Sequence, residues 1–134
     1  MTQMIKRIKG INIYVTDQQR ALDFYKDVLG LELRNDQAYN YEGKSYRLIV
    51  VAPVGAESGF NLEPAELYAS YNQAPGAFLG ITFAVADVDA LHEQFKAAGV
   101  TVSQEPTTEW WGRTMMFTDP DGNQLVGWQD VEGA

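Results

Sequence analysis

Two adjacent tryptophans, Trp110 and Trp111, followed by Gly112 and Arg113, are the side chains in this 134-residue chain best suited to holding another molecule. An indole face stacks an aromatic ring or holds a cation, worth about 0.5–2 kcal/mol depending on desolvation. Glu105 and Glu109 add negative charge beside the pair. The same pair equally suits one ring in the core and the other at a dimer contact. Groups for covalent or metal chemistry are scarce by comparison. His92 is the single histidine, and its place between Leu91 and Glu93 puts it on a helix surface. With no cysteine there is no disulfide, no thiolate nucleophile and no structural zinc site of the cysteine type. No nucleophile elbow, phosphate loop or dinucleotide-binding glycine motif occurs. Tyr14, Glu42 and Glu109 are candidates for acid and base work, but no spacing singles out a pair among them.

The length fits one domain with a real core. Hydrophobic residues at 46% and charged residues at 21% are close to globular averages, and no apolar run approaches a membrane span. The start carries Lys6, Arg7 and Lys9 without the apolar stretch of a secretory signal, so a cytoplasmic protein is expected. A net charge of −8 disfavours nucleic acid and anionic membranes. The charge is uneven: residues 1–67 carry net −1 and residues 68–134 carry net −7. Such an excess keeps a protein soluble, and it would also attract a cationic small molecule.

The elements that must position these side chains occur twice. Ile11, Ile13, Val15 and Asp17 are matched by Ile81, Phe83, Val85 and Asp87, each 70 residues on. Each set is an alternating strand ending in an aspartate suited to cap a helix. Ala21, Tyr25, Val28 and Leu29 then share a helical face before Gly30, as Val88, Leu91, Phe95 and Ala98 do before Gly99. Leu31 to Arg34 reads as a strand, and Gln37 to Tyr41 with Ser45 to Ala52 as a hairpin turning at Glu42, Gly43 and Lys44. In the second half Val100 to Ser103, Arg113 to Thr118 and Gln124 to Gln129 are strands, the last two joined by the turn Asp119-Pro120-Asp121-Gly122-Asn123. The expected fold is α+β, two tandem βαβββ modules over residues 1–58 and 79–134. A linker over 59–78 joins them, with a short helical turn near Pro64 to Ala69.

The stretches Ile11 to Leu33, Phe83 to Val100 and Phe117 to Trp128 resemble the vicinal oxygen chelate superfamily, which includes glyoxalase I, extradiol dioxygenases and bleomycin-resistance proteins. The resemblance covers nearly the whole chain. It implies curved sheets around a shared cavity, commonly in a homodimer. It also implies a divalent metal held by His and Glu, which leaves open sites for two neighbouring substrate oxygens. Carried over one position at a time, the ligand places fall on Gly10, on Gly80, on the acid-free strand Tyr46 to Val51, and on Val126. None is a metal ligand, so no metal and no cofactor is expected.

Strand alternation places Asn12, Tyr14, Thr82 and Ala84 on the cavity side, with Gln124, Val126 and Trp128 on the last strand. Met115 and Met116 should face opposite ways, and Tyr39, Tyr41, Tyr46 and Arg47 would close the other side. The expected binding set is Asn12, Tyr14, Arg47, Thr82, Trp110, Trp111, Arg113, Val126 and Trp128. The corresponding function is metal-free capture of a small aromatic or cationic compound by a homodimer that binds neither nucleic acid nor membrane. The alternatives are a lyase, isomerase or dioxygenase with a non-standard site, and a module serving interaction alone.

Overall fold

A computed structural model describes residues 3–71 and 76–131, without the side chain of Tyr71. It divides into two compact units, Met1–Pro75 and Gly76–Ala134. In the first unit the strands are β1 (Gly10–Val15), β2 (Glu32–Tyr41), β3 (Lys44–Ala52) and β4 (Gly59–Pro64). In the second they are β5 (Phe78–Ala84), β6 (Val102–Glu109), β7 (Gly112–Thr118) and β8 (Gln124–Asp130). The sheets run β1-β4-β3-β2 and β5-β8-β7-β6. In each, the opening strand lies parallel to the closing one and the other pairs are antiparallel. The two βαβββ modules are therefore present.

One boundary is corrected. Strand β4 lies inside the stretch expected as a linker over 59–78, of which residues 72–75 are outside the described residues. Its Phe60 and Leu62 are buried, while Gly and Pro occupy its two ends, which disguises a six-residue strand as loop. Leu31 to Arg34 and Gln37 to Tyr41 are correspondingly not two strands. From Glu32 onward they belong to one strand, β2, irregular between Leu33 and Asn35, and Leu31 stands just before it. The hairpin turns at Glu42 and Gly43, both with positive φ, the geometry that matches strand twist in a two-residue loop. The short helical turn is present as a 3₁₀ segment, Ala65–Tyr71.

Both aspartates cap helices as expected. Asp17 accepts the Arg20 amide at 3.0 Å, opening helix α1 (Gln18–Asp23). Asp87 accepts the Ala90 amide at 3.1 Å, opening α2 (Val88–Ala98), which ends on left-handed Gly99. α1 runs into a π-helical turn, Phe24–Val28. That wider turn rotates the face, so Phe24 and Tyr25 are buried while Val28 is exposed. In the first unit Ile13, Val15, Ile49, Val51 and Leu62 are buried on the helix-covered sheet face. In the second, Met115, Phe117 and Leu125 are buried with Val88 and Phe95 of α2. The Phe95 and Phe117 rings meet at 4.7 Å. His92 stands half-buried on α2, a helix-surface histidine.

Candidate functional site

With helices covering one face of each sheet, alternation leaves the other face to form a concave wall. In the second unit this wall bears an open pocket of about 400 Å³, lined by Thr82, Gln104, Thr107, Glu109, Trp111, Thr114, Met116, Val126 and Trp128. Register explains the set. Met116 pairs with Val126 and Thr114 with Trp128 across β7 and β8, and Thr82 pairs with Val126 across β5 and β8. Met115 is fully buried toward the helix and Met116 faces the cavity, the opposite orientations expected.

Trp111 stands on the turn between β6 and β7, and its ring meets Trp128 at 4.8 Å and 44°. Beneath them Gly112 is required by space. A β-carbon there would lie 2.6 Å from Trp128 Nε1 and 2.8 Å from the Gln129 carbonyl. Gly112→Ala should therefore push the Trp128 indole out of place and cost about 2 kcal/mol. A lowered urea midpoint together with a shifted tryptophan emission would report this, and an unchanged spectrum would refute it.

The concave wall of the first unit is more polar. Gly10, Leu48, Val50, Gly59 and Asn61 line a cavity of about 560 Å³, with Arg7, Lys9, Arg34 and Glu57 around it. Asn61 Nδ2 donates to Asn12 Oδ1 at 3.0 Å. Tyr14 packs on Tyr68 with ring centroids 5.0 Å apart, and the Tyr68 hydroxyl donates to Glu63 at 3.2 Å. Burial first, then the nearby Glu63 carboxylate, pushes the Tyr68 phenol from 10.0 up to about 12. A raised folded-state pKa means that this contribution to stability is fully present below pH 10 and is lost as pH rises toward about 12. Tyr68→Phe should remove that alkaline step from a pH series of urea midpoints.

Of the expected binding residues, Thr82, Trp111, Val126 and Trp128 come together in the second unit's cavity. In the first unit Asn12 accepts from Asn61 and Tyr14 packs on Tyr68. The two arginines do not join these linings, because alternation turns them to the helix side. Arg47 forms a two-pronged pair with Asp36 at 3.0 and 2.7 Å and donates to Gln19 on α1 at 2.6 Å. Its hydrogen bonds hold the Asp36 carboxyl below the usual carboxylate range. Arg113 does the same with Asp89 on α2 at 2.9 and 2.8 Å, lowering that carboxyl in turn. Trp110 is 88% exposed and contributes no lining. Gln104, Thr107, Thr114 and Met116 were legible only through the antiparallel register, which a single strand's alternation does not supply.

The structure also relocates one place where a metal ligand would stand. β1 pairs with β4 through Asn12 and Asn61, as β5 pairs with β8 through Thr82 and Val126. The first-unit counterpart of Val126 is thus Asn61 on β4, not a residue of Tyr46 to Val51. An amide is a poor substitute for a carboxylate ligand. At Gly10 a β-carbon would lie 3.1 Å from Asn61 Nδ2, and Gly80 has φ +69°, a conformation unfavourable to a histidine. Among the described residues no cluster of three or more His, Cys, Asp or Glu is suited to a metal. The residues at these four places do not fit the superfamily's divalent ion.

Two sheets of order 1-4-3-2, each with one helix-covered face and one concave wall, define a protein of the glyoxalase and bleomycin-resistance fold. The profile of the Glyoxalase/Bleomycin resistance protein/Dioxygenase superfamily matches residues 7–126, and the chain belongs to that superfamily. It is 32% identical to the uncharacterized protein YetH of Bacillus subtilis (strain 168), covering 92% of this chain and 98% of that one. Among solved structures, a superfamily member from Sphaerobacter thermophilus DSM 20745 superposes with TM-score 0.83 at 32% identity, covering 96% of this chain and 100% of the other. TnmS3, an antibiotic binding protein from Streptomyces sp. CB03234, superposes with TM-score 0.82 at 32% identity, covering 97% and 100%.

Proposed function

We propose that the protein captures a small, flat aromatic compound, neutral or cationic, on the concave wall of its second unit without transforming it. The observation that carries this reading is the pairing of Trp111 with Trp128 over a floor of Met116 and Val126. Flat indole and thioether surfaces bind rings by area and quadrupole, and the neutral hydroxyl and amide groups around them orient a guest without ionising it. Glu109 at the lining and the net −7 of residues 68–134 favour a cationic guest. The antibiotic-binding description of TnmS3 supports the same class of ligand. A cytoplasmic homodimer belongs to this reading, with exposed Phe78 and Trp110 available to a partner copy; sedimentation velocity tests the dimer.

The deciding experiment titrates the protein with proflavine and related planar compounds, following tryptophan quenching and melting temperature, and then recovers the compound. Saturable quenching, a raised melting temperature and an unaltered compound are expected. Absence of any binding would remove the capture role, and a chemically altered compound would make the protein an enzyme.

A further inference from the structure

Resting on that reading, the structure assigns a hydrogen-bonding requirement to the ligand. We infer that the guest carries a carbonyl-type acceptor on its edge, received by the indole N–H of Trp128. Trp128 Nε1 is buried and has no hydrogen-bond partner among the described residues, although its ring lines the cavity. An indole nitrogen only donates, and a buried donor left unmet costs about 1–3 kcal/mol. Buried tryptophans ordinarily find an acceptor for this group. On the side of Gly112, where a β-carbon would lie 2.6 Å from Nε1 and 2.8 Å from the Gln129 carbonyl, no hydrogen bond to Nε1 is formed.

The neighbouring ring provides the way in. Trp111 meets Trp128 at 44° rather than flat, and it stands on a two-residue turn between β6 and β7, outside either strand. Rotation of that side chain opens the wedge without breaking the sheet. A flat guest that enters it stacks on Trp111 and meets Trp128 edge to edge, so that its rim lies in the Trp128 indole plane, where Nε1–H points. The Thr114 side chain, paired across from Trp128, flanks that edge. The unmet donor thereby becomes a source of selectivity, because a site with a buried donor discriminates against an analogue that cannot accept.

A matched pair of probes tests this: 9-fluorenone, which has the carbonyl, and fluorene, which has the same ring skeleton without it. Fluorenone should bind the intact protein about tenfold more tightly, the ratio expected for one hydrogen bond to an otherwise unmet donor. It should also move the Trp128 indole resonance downfield in a ¹H–¹⁵N spectrum. Trp128→Phe keeps a ring and removes the donor, so it identifies that resonance by its loss and should abolish the preference. Equal affinity of the two probes for the intact protein, or a preference surviving in Trp128→Phe, overturns the acceptor requirement while leaving aromatic capture standing. If neither probe binds, aromatic capture fails and the inference fails with it.

Discussion

Trp111→Ala should weaken binding of a planar aromatic compound by about 30-fold, close to 2 kcal/mol, while leaving the unfolding midpoint almost unchanged. The two effects separate because of where the side chain stands. Trp111 is half-buried on a turn, so its ring contributes little to the core and one wall to the cavity. Removing it would delete the proposed stacking surface beside Trp128. The control is the neighbouring Trp110→Ala. That ring is 88% exposed, and its loss should leave affinity within experimental error. Fluorescence titration of the two variants with one ligand compares them directly. Equal losses at the two positions, or none at Trp111, would relocate the site.

The second large effect concerns stability. Asp119 is 4% exposed, and its carboxylate organises the turn between β7 and β8. One oxygen accepts the amides of Asp121 and Asn123, each at 2.9 Å, and the other accepts Asn123 Nδ2 at 2.9 Å. Asn123, 1% exposed, uses its own side-chain oxygen to accept the Gly76 amide at 2.8 Å. Asp119→Ala removes an acceptor from three donors at once, two of them on a buried residue. The expected loss is about 3 kcal/mol, or about 10 °C in melting temperature for a domain of this size. Asp119→Asn retains one carbonyl oxygen and should recover part of it. A urea midpoint within error of the parent for Asp119→Ala would show that the turn holds without its carboxylate.

Much of the architecture was legible because it is local and repeated. The aspartate caps, the glycine stops and the alternation of Ile13, Val15, Phe83 and Val85 each depend on residues a few positions apart, and their recurrence 70 residues on reinforces them. Strand β4 was not legible. Gly59 and Pro64 bound it with residues typical of loops, and what holds it is lateral pairing to β1 and β3. The same limit applied to the cavity. Tryptophans 111 and 128 stood out by type, but Arg47 and Arg113, attractive as charged groups near aromatic residues, lie one position out of phase and pair with Asp36 and Asp89 on the helix side.

The sequence by itself determined the repeated strand-and-helix pattern, the aspartate caps that open both helices and the residue types at the superfamily's metal-ligand places, since these depend on short-range periodicity, capping and identity. Only the tertiary structure decided that Asn61 is the first-unit counterpart of Val126, that Met116 and Thr114 join Trp128 in one wall, and that the Trp128 indole N–H is buried beside Gly112 without an acceptor among the described residues. The physical reason is that a strand's period of two says which residues share a face but not which strand lies beside it. Side chains distant along the chain become neighbours only through hydrogen-bonded register.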